Sequence, residues 1–136
     1  MDRVGCDFFV DVHADEELAY NFVSGSEGCP AYGLPGSSLP QLQRDFCRLY
    51  EVFNKDFQSV EGYDIDEPNE ANLSICSNQI GERFNCLSNT LEMPFKDTTG
   101  PDGKQEDLAR GWSIERCQKL GEDILPVILA LVPTLR

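Results

Sequence analysis

The feature that most constrains the fold is a short apolar run ending in the only histidine of the chain. Phe8-Phe9-Val10-Asp11-Val12-His13 is rich in β-branched and aromatic residues, a composition suited to an interior strand. His13 follows where the run gives way to Asp15, Glu16 and Glu17. The end of a strand is where α/β sheets usually carry functional groups. A second strand-like run, Leu87 to Phe95, carries one carboxylate, Glu92, between Leu91 and Met93.

The rest of the chain reads as elements around these two runs. A first strand is expected over 5–13 and a short second one over Tyr20–Val23. Residues 24–37, dense in Gly, Pro and Ser, follow as an irregular loop. Ser37 or Ser38 can cap a helix that tolerates Pro40 in its first turn. Leu39, Leu42, Phe46, Leu49, Tyr50 and Phe53 form its apolar stripe. After an acidic loop, Asn69 or Asn72 can cap a second helix whose apolar face is Leu73, Cys76, Ile80 and Phe84. Residues 97–111 make an exposed loop. Ser113 caps a last helix with Ile114, Cys117, Leu120, Ile124, Ile128 and Leu131 inward. Pro126 should kink or split that helix. The nearly unbroken apolar run that follows suggests cover on more than one side. The order strand, strand, helix, helix, strand, helix predicts an α/β layer arrangement around a sheet.

Charge narrows the partners. The net charge is −13, from 24 acids against 11 bases, which argues against nucleic acid and against an anionic membrane. The apolar stretch Ile124–Val132 is too short to span a bilayer. Six scattered cysteines without a Cys-x-x-Cys pair, and with no second histidine, do not make a zinc finger. They read as buried free thiols in a reducing compartment, which makes the expected location cytoplasmic. The N-terminus has no apolar signal region. Asn72-Leu73-Ser74 is a glycosylation sequon that would matter only after secretion.

Taken alone, His13 is better explained by a hydrogen-bonded structural role than by metal binding, since a catalytic zinc needs three protein ligands. His13 and Glu16 spell His-x-x-Glu, but no later histidine completes that set. Asp11 lies on the same side of the strand as His13 and could orient it. Glu92, set beside Leu91 and Met93, should have its pKa raised by desolvation, as a general base near neutral pH requires. A structural ion pair with Lys96 is the competing account.

Together, residues 11–22 (DVHADEELAYNF) and 87–97 (LSNTLEMPFKD) resemble the zinc metallocarboxypeptidases of the carboxypeptidase A type. The nearest branch is that of the cytosolic carboxypeptidases, which includes the tubulin deglutamylases. The resemblance implies that residues 1–136 are the C-terminal half of a catalytic domain. The fold would then be part of a three-layer α/β/α carboxypeptidase-like mixed sheet with packed helices. It implies Zn²⁺ as cofactor, His13 as one zinc ligand and Glu92 as the general base acting on zinc-bound water. The substrate would be a peptide or protein C-terminus. Tyr63 would be the tyrosine that closes over the substrate. The family's first two ligands, a His-x-x-Glu pair, would belong to an N-terminal half that this chain lacks, leaving it inactive by itself. A deglutamylase would favour a basic specificity pocket, for which Arg83, Lys96 and Arg110 are available. Two other readings remain: a non-catalytic acidic interaction or regulatory module retaining the fold, and a zinc amidohydrolase of the aspartoacylase kind.

Overall fold

The central strand of the sheet is the one that carries Glu92. In the computed structural model, which describes residues 1, 3–95, 98 and 111–135, the elements run β1 (Phe8–Val12), β2 (Phe22–Ser24), α1 (Leu39–Phe53), α2 (Cys76–Phe84), β3 (Leu87–Glu92) and α3 (Ile114–Leu131). Lys96, Arg110 and nearly all of the loop expected over 97–111 lie outside the described residues. The predicted order of elements is the observed one. The sheet is mixed, with order β1-β3-β2: β1 pairs parallel to β3, and β2 pairs antiparallel to it.

Alternation along β3 sorts its side chains between two layers. Leu87 and Leu91 join the core formed with Leu39, Leu42, Phe46 and Tyr50 of α1 and Leu120, Ile124, Val127 and Leu131 of α3. Ser88 and Thr90 face α2 instead. Ser88 Oγ donates to the Ser77 carbonyl at 2.6 Å, and the Ser77 and Thr90 hydroxyls lie 2.8 Å apart. The sheet therefore separates α1 and α3 from α2, in three layers. Among the described residues, no helix is long and apolar enough to cross a membrane.

α1 and α3 join through polar contacts as well as apolar ones. The Tyr50 hydroxyl donates to the Leu120 carbonyl at 2.9 Å, and its ring stacks on Phe57 at 4.2 Å. Buried Asp123 accepts from Asn54 Nδ2 at 3.0 Å and from Lys119 Nζ at 2.6 Å. Ser113 caps α3 as expected, accepting from the Arg116 N–H at 3.3 Å.

Several expectations are corrected. The buried face of α2 is Ser77, Asn78 and Gly81, while Leu73 and Cys76 are exposed and Ile80 and Phe84 are half-buried. The physical reason is close approach: a Cβ on Gly81 would stand 3.2 Å from the Ser88 Cβ, so only small side chains fit there. Neither Asn69 nor Asn72 caps this helix. Ile75 holds the N-cap position, and Asn72 Oδ1 instead accepts from Ser74 N–H and Oγ in a preceding turn. Ser38 holds the N-cap position of α1 without a side-chain cap bond, and Ser37 Oγ accepts from Leu39 N–H. In that helix Phe53 is exposed and Gln43 is buried. Pro126 lies within α3, which runs unsplit from Ile114 to Leu131. Its apolar run is covered on one side only: Val127 is buried, whereas Leu125, Leu129 and Val132 are exposed. Ile114 is exposed and Ile128 half-buried, because the inward arc runs through Leu120, Asp123, Ile124, Val127 and Leu131.

Candidate active site

Register brings the two marked residues together. Parallel pairing sets Asp11 opposite Thr90 and Val12 opposite Leu91, and the His13 N–H extends the ladder by donating to the Leu91 carbonyl at 2.8 Å. Because successive side chains alternate, His13 and Glu92 emerge side by side on the face away from α1. His13 Nδ1 lies 4.0 Å from Glu92 Oε1. Its other ring nitrogen, Nε2, is 3.2 Å from Asp11 Oδ2, so Asp11 does sit where it can orient the ring. A neutral imidazole that donates from Nε2 to this carboxylate carries its lone pair on Nδ1, toward Glu92.

Glu92 is buried at 5% exposure, although it closes the C-terminal end of β3. Burial pushes its carboxyl above the usual carboxylate range. The carboxylates of Asp15 and Asp11 push the same way, while His13 opposes them. The direction is the expected one, but the burial has a different origin. Leu91, next along the strand, belongs to the opposite layer, and Glu92 is covered because β3 lies between β1 and β2.

A cavity of about 570 Å³ opens on this pair. His13, Glu92, Asp11 and Thr90 form its sheet side, Tyr63 and Ile65 its outer wall, and Ser77 and Asn78 of α2 the opposite side. Glu27, Asp64 and Asp66 also line it, and no Lys or Arg does so among the described residues. Burial also raises the carboxyl of Glu27. Arg83 lies in the last turn of α2, outside this lining. Tyr63 stands at the rim, its hydroxyl donating to Asp15 Oδ2 at 2.9 Å. That acid is buried at 8% exposure, although it stands in a run of three acids, Asp15, Glu16 and Glu17. No sequence pattern marks its burial; only the fold brings residues 15 and 63 together.

The donor set is incomplete for a catalytic zinc. Among the described residues, no group of three or more His, Cys, Asp or Glu side chains is placed to hold a metal ion. His13 has the chemistry of one ligand, a ring whose far nitrogen is oriented by a carboxylate. One such ligand does not hold a catalytic zinc.

A metallo-carboxypeptidase from Pseudomonas aeruginosa, solved in complex with (2-guanidinoethylmercapto)succinic acid, superposes with a TM-score of 0.86 at 38% identity. It matches 100% of this chain and 34% of its own. A metallo-carboxypeptidase from Burkholderia cenocepacia superposes at 0.82 with 40% identity, over 98% of this chain and 33% of that one. The chain is similar to metallo-carboxypeptidases along its whole length. An uncharacterized protein of Zymomonas mobilis is 38% identical over 135 residues, 99% of this chain and 34% of that protein. This carboxypeptidase-like chain thus spans about a third of the length of the relatives it matches. No protein-family model matches it.

Proposed function

We propose that the chain is the C-terminal part of the catalytic domain of a zinc metallocarboxypeptidase, with His13 as one zinc ligand and Glu92 as the general base. The observation that carries this reading is the pairing of His13 Nδ1 with Glu92 Oε1 at 4.0 Å, at the mouth of a cavity, in a chain similar to metallo-carboxypeptidases. Zinc, when bound, would polarise the scissile carbonyl and acidify the attacking water. The chain's own residues supply the proton handling and the orientation. Asp11 holds the imidazole by Nε2 and keeps the Nδ1 lone pair available. Glu92, desolvated and raised in pKa, takes a proton at its carboxylate and returns it to the leaving amine. Tyr63 overhangs the cavity, where the C-terminus of a peptide or protein would lie.

The missing ligands belong, in this reading, to an upstream part of the domain, and the chain is inactive without it. The exposed Leu125, Leu129 and Val132 and the open edge of β1 support a larger body, because both are surfaces a complete domain would cover. Six free thiols support a reducing, cytoplasmic setting. A deglutamylase would need a basic pocket. The described lining is acidic, which favours a cationic or neutral terminal side chain over glutamate.

Zinc titration of the purified chain beside His13→Ala tests the reading. Weak binding is expected from the chain alone. Carboxypeptidase activity is expected only when the upstream two-thirds of a relative is supplied, and Glu92→Gln should lower it about 10²- to 10⁴-fold. Tight one-to-one binding by the chain alone, lost in His13→Ala, would refute the fragment reading.

A further inference from the structure

We infer that Asp15 is a positioning residue whose carboxylate latches Tyr63 over the rim of the His13–Glu92 cavity. Its two oxygens do separate work. Oδ1 accepts from the Glu17 N–H at 2.8 Å, which is all that a local turn requires. Oδ2 accepts from the Tyr63 hydroxyl at 2.9 Å, a contact across 48 residues of chain that a turn does not need. Asp15 is itself pinned to the strand end. Its N–H donates to the Met93 carbonyl at 2.7 Å, and it forms a bridge with Pro94. The phenol is thus registered against the residues that immediately follow Glu92.

Ahead of Tyr63 the segment is anchored by buried Gln58, whose side chain accepts from the Val60 and Glu61 N–H groups and donates to the Glu61 carbonyl. Between α1 and α2 the chain forms neither helix nor strand beyond one isolated bridge at Phe57, and Val60 and Ile65 on either side of Tyr63 are exposed. The ring meets buried Phe22 edge-on, with centroids 5.0 Å apart and planes at 88°. Gly62 permits that approach, since a Cβ there would fall 2.9 Å from the Phe22 ring. One ring contact, the hydrogen bond to Asp15 and a side-chain hydrogen-bonding interaction with Glu92 therefore fix the tyrosine. Of these, only the Asp15 bond ties the phenol to the residues beyond Glu92, and its loss releases the hydroxyl from that register. The meaning of the latch for catalysis rests on the carboxypeptidase reading; the contact itself does not.

The test uses the metal-free chain labelled with 3-fluorotyrosine, whose four ¹⁹F lines are assigned with Tyr63→Phe. In Asp15→Ala the Tyr63 line should narrow and move toward the position of free fluorotyrosine, while those of Tyr20, Tyr32 and Tyr50 stay in place. Asp15→Asn, whose amide oxygen can still accept from the phenol, should keep most of the original line position. An unmoved Tyr63 line in folded Asp15→Ala overturns the proposal. If Asp15→Ala does not fold, Asp15→Ser, which can still accept from the Glu17 N–H but is too short to reach the phenol, is read in the same way: a Tyr63 line moved toward free fluorotyrosine is expected, and an unmoved one overturns the latch. Since no metal is present, these results stand apart from the zinc titration. A failed titration with a confirmed latch would remove the catalytic reading and leave the contact.

Discussion

Two helical glycines should respond to alanine with opposite signs. Gly81 packs against Ser88 of β3 and against Ser26. An added Cβ would lie 2.8 Å from Ser26 Oγ, 3.1 Å from Ser26 Cβ and 3.2 Å from Ser88 Cβ. The serine hydroxyl can rotate, but the Ser88 Cβ is fixed to the central strand, so the helix must move. Overpacking of this kind costs about 1–3 kcal/mol. The same movement stretches the Ser88–Ser77 and Ser77–Thr90 hydrogen bonds, each contributing about 1 kcal/mol. Alanine's helix propensity offsets about 1 kcal/mol of that. Gly81→Ala should therefore destabilise by roughly 1–3 kcal/mol. Gly121, exposed in α3 with nothing within 4 Å of its Cβ position, meets only the propensity term. Gly121→Ala should stabilise by about 0.5–1 kcal/mol. Urea denaturation reads both as shifts in midpoint at constant slope. If Gly81→Ala is neutral, or stabilises as Gly121→Ala does, then α2 does not meet the sheet through its small polar face.

Glu92→Gln should stabilise the chain at pH 8, because the wild-type carboxyl is raised by burial and its ionisation opposes folding. For a raised acid the favourable contribution is full below the unfolded pKa and is lost as pH rises through the folded one. The advantage of the variant should therefore shrink on acidification below the usual glutamate range. Urea midpoints at pH 8 and pH 4 check it, and a difference independent of pH would contradict the assignment. Thiol labelling should also be graded. Cys76 is exposed and should react first, whereas burial pushes Cys29 up to about 11 and Cys47 up to about 12, so both should wait for unfolding. Rapid labelling of all six in native buffer would rule out the packing around them.

The cysteines, expected to be buried, are so only at Cys29 and Cys86, with Cys76 exposed, and α2 shows why periodicity misleads. Leu73, Cys76, Ile80 and Phe84 have helical spacing, yet the helix turns Ser77 and Gly81 to the sheet. Hydrophobic spacing ranks faces by transfer energy alone. It is blind to a facing strand that presents Ser88 and Thr90 and leaves room only for small side chains. α3 misleads in the other direction. Its apolar run suggests burial all round, and this chain covers one side of it. The site divides similarly. His13 and Glu92 stand out by chemistry and by resemblance, and Asp11 by alternation along one strand. Asp15 is one acid among several until Tyr63, far along the chain, is brought to it.

The sequence alone determined the local menu: which runs become strands or helices, their order, and the marked positions His13 and Glu92. Those properties follow from side-chain shape and from the periods of helix and strand, which need no knowledge of distant neighbours. Tertiary structure alone decided the register that sets Val12 against Leu91 and so places His13 beside Glu92. It also decided which face of α2 is buried and which acid meets Tyr63. These depend on how sheet, helices and loops exclude one another in space, a competition among distant segments that no local window contains.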